Sequence, residues 1–87
     1  MQSKFSWNSL KSSRLKQIRG ASFEDIIQSY FLKVVDSTQR PNQKIALFYY
    51  QDYIWAVPYV VISEEEIFLK TLYRCRKYTK MYRRGEL

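Results

Sequence analysis

The last eighteen residues of the sequence combine positive charge with aromatic rings, which is the first indication of chemistry in the chain. Residues 70–87 contain seven basic residues and one acid, Glu86. Arginine and lysine hold phosphate groups, and tyrosine rings stack on unpaired bases. The segment therefore predicts an RNA-binding surface, although the same composition also fits a solvated basic helix.

Three of these cations are predicted to converge. A strand over Ile67–Tyr73 would place Lys70 and, just past its end, Arg74 on one face, because alternate residues of a strand point to the same side. Arg76 would then open a helix directly afterwards. Guanidinium groups match phosphate oxygens in a fork geometry. We predict Arg76 as the centre of an active surface, helped by these neighbours.

The acidic residues offer a structural alternative for Arg76. Glu24 and Asp25 fit the first turn of a helix, where the helix dipole favours acids. If Arg76 forms a salt bridge with either of them, its replacement would reduce stability rather than activity. The run 64–66 is expected to be a solvated turn, and no carboxylate cluster suggests Mg²⁺ or Ca²⁺ binding. We predict no metal and no cofactor.

Missing residue types exclude several classes of catalyst. The sequence has no histidine, which excludes a Ser-His-Asp triad, a Cys-His pair and a ribonuclease that uses a histidine pair. The single cysteine, Cys75, excludes an internal disulfide and a cysteine-rich zinc site, and it fits a reducing compartment. No apolar run is long enough to span a bilayer. We expect a cytoplasmic protein with no membrane role.

The net charge of +7 is unevenly distributed along the chain. Residues 1–20 carry five basic residues and no acid, whereas residues 21–69 carry three basic and seven acidic residues. If the two basic ends lie on one side of the fold, they form a single positive surface for a polyanion. The predicted nucleic-acid contacts on that surface are Lys11, Arg14, Arg19, Lys77, Tyr78 and Lys80. The alternative is a generally solvated basic protein.

The pattern of the chain predicts how these residues are positioned. Asn8 is a suitable helix cap and Gly20 a suitable stop, which predicts a helix over 9–19. A second helix is predicted over 22–33, and a third over 76–83. The apolar stripe that supports the second helix consists of Phe23, Ile26, Ile27, Tyr30 and Phe31.

Three apolar runs with short polar gaps predict an antiparallel meander. The runs are Ile45–Tyr50, Tyr53–Ile62 and Ile67–Tyr73, and a short opening strand is expected near Lys4–Trp7. Pro58 lies inside the middle run and cannot donate to the ladder, so we expect a bulge or a local loss of pairing there. The whole chain, residues 1–87, is predicted to be one two-layer α+β domain with two N-terminal helices, a three- to four-stranded meander and a short C-terminal helix.

Two long segments resemble the BrnT family, a RelE-like group of bacterial toxins. The segment KFSWNSLKSSRLKQIRGASFEDII is similar to the start of these toxins, and YIWAVPYVVISEEEIFLKTLYRCRKYTKMYRR to a related group with a Val-Pro-Tyr strand and an Arg-Lys-x-Thr-Lys-x-Tyr tail. Together they cover nearly the whole chain. The resemblance implies a RelE-like fold and a ribonuclease that arrests translation, neutralised by an antitoxin that is typically a DNA-binding protein. Such a ribonuclease could cleave RNA that is free in solution or RNA that is bound to the ribosome.

The resemblance also assigns residues. Arg76 and Lys77 match the basic pair that enters the last helix of the family, and Tyr82 matches its tail tyrosine. For the RNA cleavage that the resemblance implies, Arg74 and Arg76 would stabilise charge on the phosphorane, and Tyr82 or Lys70 could transfer protons if neighbouring cations lower their pKa. Where many members have Lys-His-Gly before the second helix, this chain has Ile18-Arg19-Gly20. An arginine binds phosphate but does not act as a general base at neutral pH. A second hypothesis is therefore a non-catalytic module that binds nucleic acid or protein, derived from such a toxin.

Overall fold

The computed structural model describes residues 4–41 and 43–87, which form one mixed sheet with helices on both faces. Asn42 lies outside the described residues. The elements are β1 (Lys4–Ser6), α1 (Ser9–Arg19), α2 (Phe23–Ile27), β2 (Tyr30–Asp36), β3 (Lys44–Tyr50), β4 (Tyr53–Ser63), β5 (Glu66–Leu69), β6 (Tyr73–Arg74) and α3 (Arg76–Arg83).

The sheet has the strand order β1-β5-β4-β3-β2, and β6 pairs with β4 next to the end of β5. β3, β4 and β5 form the predicted antiparallel meander. β1 pairs with β5 in parallel, so the sheet is mixed rather than wholly antiparallel. The β3–β4 hairpin turns at Gln51 and Asp52, whose φ angles of 51° and 67° are those that a tight two-residue hairpin requires.

The first and last helices are as predicted, but the second is much shorter. In α1 the Asn8 side chain accepts a hydrogen bond from the Lys11 N–H, and Gly20 ends the helix at a φ of 89°. α2 stops at Ile27, and the following residues form the edge strand β2. The prediction of a helix over 22–33 is therefore wrong beyond residue 27. This stretch is rich in aromatic and β-branched residues, which favour a strand. Its backbone hydrogen bonds are made to β3 instead of within a helix.

Two apolar clusters lie on opposite faces of the sheet, so the fold has three layers rather than the predicted two. On the first face, Leu15 of α1 and Phe23 of α2 pack against Trp55 and Val57. On the second face, Tyr78 of α3 and the C-terminal Leu87 pack with Tyr49 around Leu47, Ile54 and Ala56. This division follows from the alternation of side chains along β4.

The third predicted strand, Ile67–Tyr73, is broken into β5 and β6. Residues 70–72 lie between the two, with Leu72 completely buried. The Lys70 N–H donates to the Pro58 carbonyl across the break at 2.9 Å. Because N–H and C=O of one strand residue face the same neighbour, the missing Pro58 N–H also faces this break. The expected local loss of pairing is confirmed, on this side of β4.

The break changes which side chains share a face. Leu69 and Leu72 both pack in the cluster on the first face. Strict alternation of Lys70, Leu72 and Arg74 along one continuous strand is therefore wrong.

Among the described residues, no helix is long and apolar enough to cross a membrane.

Candidate nucleic-acid interface

Arg74 lies against two aromatic rings at the end of the sheet. In the β4–β6 register Arg74 is directly opposite Trp55, and Tyr53 lies two residues earlier on the same face of β4. The Arg74 Cζ atom is 5.2 Å from the Tyr53 ring centre and 5.8 Å from the Trp55 ring centre. These are cation–π distances, so the rings hold the guanidinium at a defined place.

A second guanidinium reaches the same tyrosine from α3. The Arg83 Cζ atom is 5.7 Å from the Tyr53 ring centre, and its Nη2 donates to the Asp52 carbonyl at 3.1 Å. We call Tyr53, Trp55, Arg74 and Arg83 the arginine–aromatic cluster. Its Tyr53 side is open to solvent, since that residue is 39% exposed, while Trp55 is buried.

Arg76 extends the cluster to a cavity of about 350 Å³ lined by Tyr53, Arg74 and Arg76. Arg76 is exposed at the first position of α3. Between described residues the ion pairs are Lys16–Asp25 and Lys44–Asp36, and neither involves this cavity. Its positive charges are thus not neutralised by a facing acid, which is the arrangement that attracts an anion such as a phosphate.

The salt-bridge alternative for Arg76 is contradicted, because both candidate acids have other partners. Asp25 accepts from Lys16 at 2.8 Å, and this hydrogen bond lowers the pKa of Asp25. Glu24 accepts from the Ser12 hydroxyl, which lowers the pKa of Glu24. Both acids stabilise the junction of α1 and α2.

Tyr82 lies beside the turn that holds Arg83. Its ring packs against Tyr49 with centres 5.2 Å apart, and it remains 40% exposed. The Tyr49 hydroxyl donates to Asp52 Oδ1 at 3.0 Å, and this hydrogen bond raises the pKa of Tyr49. Tyr82 is thus connected through Tyr49 to the edge of the arginine–aromatic cluster.

The structure does not place Lys70 beside Arg74 and Arg76. It is half-buried in the break between β5 and β6, and it is not among the residues that line the cavity. The predicted convergence of the three cations therefore reduces to Arg74 and Arg76.

The other predicted contact residues lie in three different surroundings. Lys11, Arg14, Lys77 and Lys80 are exposed on α1 and α3. Tyr78 is half-buried in the core of the second face, and Lys77 Nζ lies 5.5 Å from the centre of its ring. Arg19 donates to the Leu72 carbonyl, so one of its nitrogens links α1 to the segment before β6.

An apolar groove of about 320 Å³ lies elsewhere, on the first face of the sheet. Its lining includes Phe5, Phe31, Val34, Tyr59 and Ile67. It offers no cation for a phosphate. Among the described residues, no three Asp, Glu or Cys side chains lie close enough together to hold a metal ion.

Comparison with known proteins gives a fold. Neither the protein-family models nor the curated proteins contain a match to this sequence. The structure is similar to the crystal structure of BrnT, the ribonuclease toxin of Brucella abortus. The TM-score is 0.66 with 17% sequence identity, over 85% of this chain and 97% of BrnT. The chain has a BrnT-like α+β fold.

The likeness to BrnT confirms the expected kind of fold, but the sequence interpretation had missed two members of the site. In the sequence, Tyr53 and Trp55 are two apolar residues of the run that predicts the middle strand. Their partner Arg74 is opposite Trp55 because the chain breaks at 70–72 and resumes pairing at β6. A usable signal was the position of Tyr53 directly after the Gln51-Asp52 turn, which places an aromatic ring at the end of the sheet.

Proposed function

We propose that this protein is the toxin of a type II toxin–antitoxin pair, a metal-independent endoribonuclease that cleaves RNA and arrests translation. The observation that carries the proposal is the cavity where Arg74 and Arg76 stand without a facing acid beside an exposed tyrosine. Its setting in a BrnT-like fold supports the same activity, since BrnT is a ribonuclease toxin.

The chemistry requires three tasks from this surface. A base accepts the proton of the ribose 2′-hydroxyl as its oxygen attacks the adjacent phosphorus, and an acid gives a proton to the 5′-oxygen as its bond to phosphorus breaks. The products are a 2′,3′-cyclic phosphate and a 5′-hydroxyl end. Arg74 and Arg76 stabilise the added negative charge on the phosphorane. The candidates for proton transfer are Tyr82, on the same helix as Arg76 and packed against Tyr49, and Lys70, in the break between β5 and β6.

The proposed partner is a cognate antitoxin that carries a DNA-binding domain. An acidic segment of such a protein would cover the same cations that bind RNA, and charge would contribute to the complex. Co-expression with a protein encoded by a neighbouring gene tests this. The two should elute together from a sizing column at low salt, and separate elution would contradict the proposed pair. We propose that both act in the cytoplasm.

A non-catalytic role remains the second candidate, favoured by one observation. Arg19 stands where many BrnT-like toxins have histidine, and it is bonded to the Leu72 carbonyl. A protein that kept the basic surface but lost its base would still bind RNA or an antitoxin. Binding of RNA without cleavage, with and without ribosomes, would select this reading.

The deciding experiment replaces Arg76 by alanine. The side chain is exposed and has no ion pair between described residues, so Arg76→Ala should change the free energy of unfolding by no more than about 0.5 kcal/mol. It should nevertheless abolish RNA cleavage and growth arrest. Arg40→Ala, in an exposed loop, is the matched control and should behave as wild type. A stable, fully active Arg76→Ala protein would contradict the proposed site.

A further inference from the structure

We infer that Tyr53 is a positioning residue, whose ring holds the guanidinium groups of Arg74 and Arg83 ready for a single-stranded RNA segment. This rests on the proposed function and extends it to a residue outside the basic tail. Two arginines from different elements, β6 and α3, meet at one exposed ring.

The ring itself is fixed by the hairpin. Tyr53 pairs with Tyr50 at the first position after the turn, and the turn residues adopt the φ angles that close it tightly. Arg83 is held a second time, through its hydrogen bond to the Asp52 carbonyl. The Tyr53 ring therefore gives a rigid support to two arginine side chains that are by themselves long and flexible.

This rigidity matters because the arginines repel each other. Two positive charges that share a neighbour separate unless another interaction holds them, and each cation–π contact with Tyr53 supplies one. Arginine side chains also lose much rotamer freedom when they bind a ligand. If Tyr53 orders them beforehand, that cost is not incurred at the moment of RNA binding.

Asp52, the acid that precedes Tyr53 in the chain, leaves the arginines available. The Asp52 carboxylate accepts from the Tyr49 hydroxyl, while Arg83 uses the Asp52 backbone carbonyl. No ion pair between described residues includes Arg74 or Arg83. Both arginines are exposed beside a partly exposed aromatic ring, which is the combination that binds successive phosphates and bases of an unpaired strand.

The test compares three variants. Tyr53→Leu removes the ring, Tyr53→Phe keeps it without the hydroxyl, and Tyr30→Leu removes an exposed tyrosine from β2 as a matched control. Each is titrated with a non-cleavable 2′-O-methyl RNA of about four nucleotides, and folding is checked by circular dichroism. We expect Tyr53→Leu to weaken binding about tenfold, Tyr53→Phe to stay within about twofold, and Tyr30→Leu to match wild type.

A further pair of variants tests the contact of the two arginines with the Tyr53 ring. Arg74→Lys and Arg83→Lys keep the charge but lose the planar group that stacks on a ring. Each lysine variant should weaken RNA binding. Combining Tyr53→Leu with either lysine variant should weaken RNA binding little further. These lysine variants keep the inference testable if Tyr53→Leu fails to fold.

The outcomes separate this inference from the proposed function. RNA cleavage by wild type together with unchanged binding in Tyr53→Leu, or in both lysine variants, would overturn the role of Tyr53 and leave the ribonuclease. Equal losses in Tyr53→Phe and Tyr53→Leu would overturn it as well, since the hydroxyl rather than the ring would then matter. The expected binding pattern without any cleavage would support Tyr53 and reject the ribonuclease.

Discussion

Thr79 is a single residue that joins α3, the helix that bears Arg76 and Arg83, to the sheet. It is 3% exposed, and its hydroxyl donates to the Cys75 carbonyl and accepts from the Ile54 N–H at 2.9 Å. The Cys75 N–H in turn donates to the Ile54 carbonyl. The start of α3, and with it Arg76, is therefore fixed to β4.

Thr79→Val should destabilise the protein by about 1–3 kcal/mol, because the volume is kept but the buried Ile54 N–H loses its acceptor. Urea unfolding measures the change, with Thr38→Val at an exposed position as the control. RNA cleavage should fall with Thr79→Val even where the variant is still folded. Wild-type stability in Thr79→Val would show that water replaces the hydroxyl.

Sequence alone located the basic region but could not separate the arginines within it. Arg74 contacts two rings, Arg83 a ring and a carbonyl, Arg19 a carbonyl, and Arg76 lines the cavity. The sequence shows the same residue type in each case. Their roles depend on partners distant along the chain, which is also why Tyr53 was missed.

At the scale of elements, a polar network joins α1 to α2. Ser12 is buried, donates to Glu24 and accepts from the Phe23 N–H. Ser22 and Asp25 form a reciprocal capping box, and Asp25 also pairs with Lys16. Each bond to a carboxylate lowers the pKa of that acid, with the Ser12 bond the main cause for Glu24 and the Lys16 bond for Asp25.

This junction should make stability fall in acid. An acid whose pKa is lower in the folded state contributes its full stabilisation above its pKa in the unfolded state, which is about 4.3 for Glu and 3.9 for Asp. That stabilisation is lost as the pH falls through the pKa of the folded state. Lys16→Met removes the main cause for Asp25, so the loss of stability between neutral pH and pH of about 3 should be smaller than in wild type. Lys33→Met, at an exposed lysine, should keep the wild-type profile. Identical profiles for wild type, Lys16→Met and Lys33→Met would exclude the Lys16–Asp25 pair as an acid-sensitive element.

Elements with local signals were predictable, and elements that depend on distant pairing were not. α1 and α3 have their predicted bounds. For α1 the signals are local, because the Asn8 cap and the Gly20 stop are adjacent to the helix in the sequence. β2 was mistaken for helix because its apolar spacing fits both structures until pairing with β3 decides. The break between β5 and β6 depends on Pro58 in the neighbouring strand and on the burial of Leu72.

At the scale of the whole molecule, the two basic helices, α1 and α3, lie on opposite faces of the sheet. α1 packs on the first face of the sheet and α3 on the second. The C-terminal end of α1 approaches β6 through the Arg19 contact with Leu72, whereas Lys11 and Arg14 lie further back on the helix. The exposed cations of α1 and α3 are therefore separated by the sheet, while Arg74, opposite Trp55, lies on the α1 face.

This division predicts how RNA affinity depends on the length of the RNA. A strand of about four nucleotides can occupy the side of α3 alone, whereas one of about twelve can pass around the end of the sheet to α1. Lys77→Ala with Lys80→Ala should weaken both RNAs, because these lysines lie on the same helix as Arg76. Lys11→Ala with Arg14→Ala should weaken the longer RNA and leave the shorter one unchanged.

Salt titration shows whether the lost contacts are to phosphates. Each phosphate contact removed from a single strand should flatten the slope of log K against log salt by about 0.7. With the longer RNA, each double variant should therefore lower the slope by about 1.4 when both of its cations contact phosphate. If the α1 variant weakened the short RNA as strongly as the long one, the two basic ends would form one surface after all, and RNA would have to lie across the edge of the sheet near Arg19 and β6.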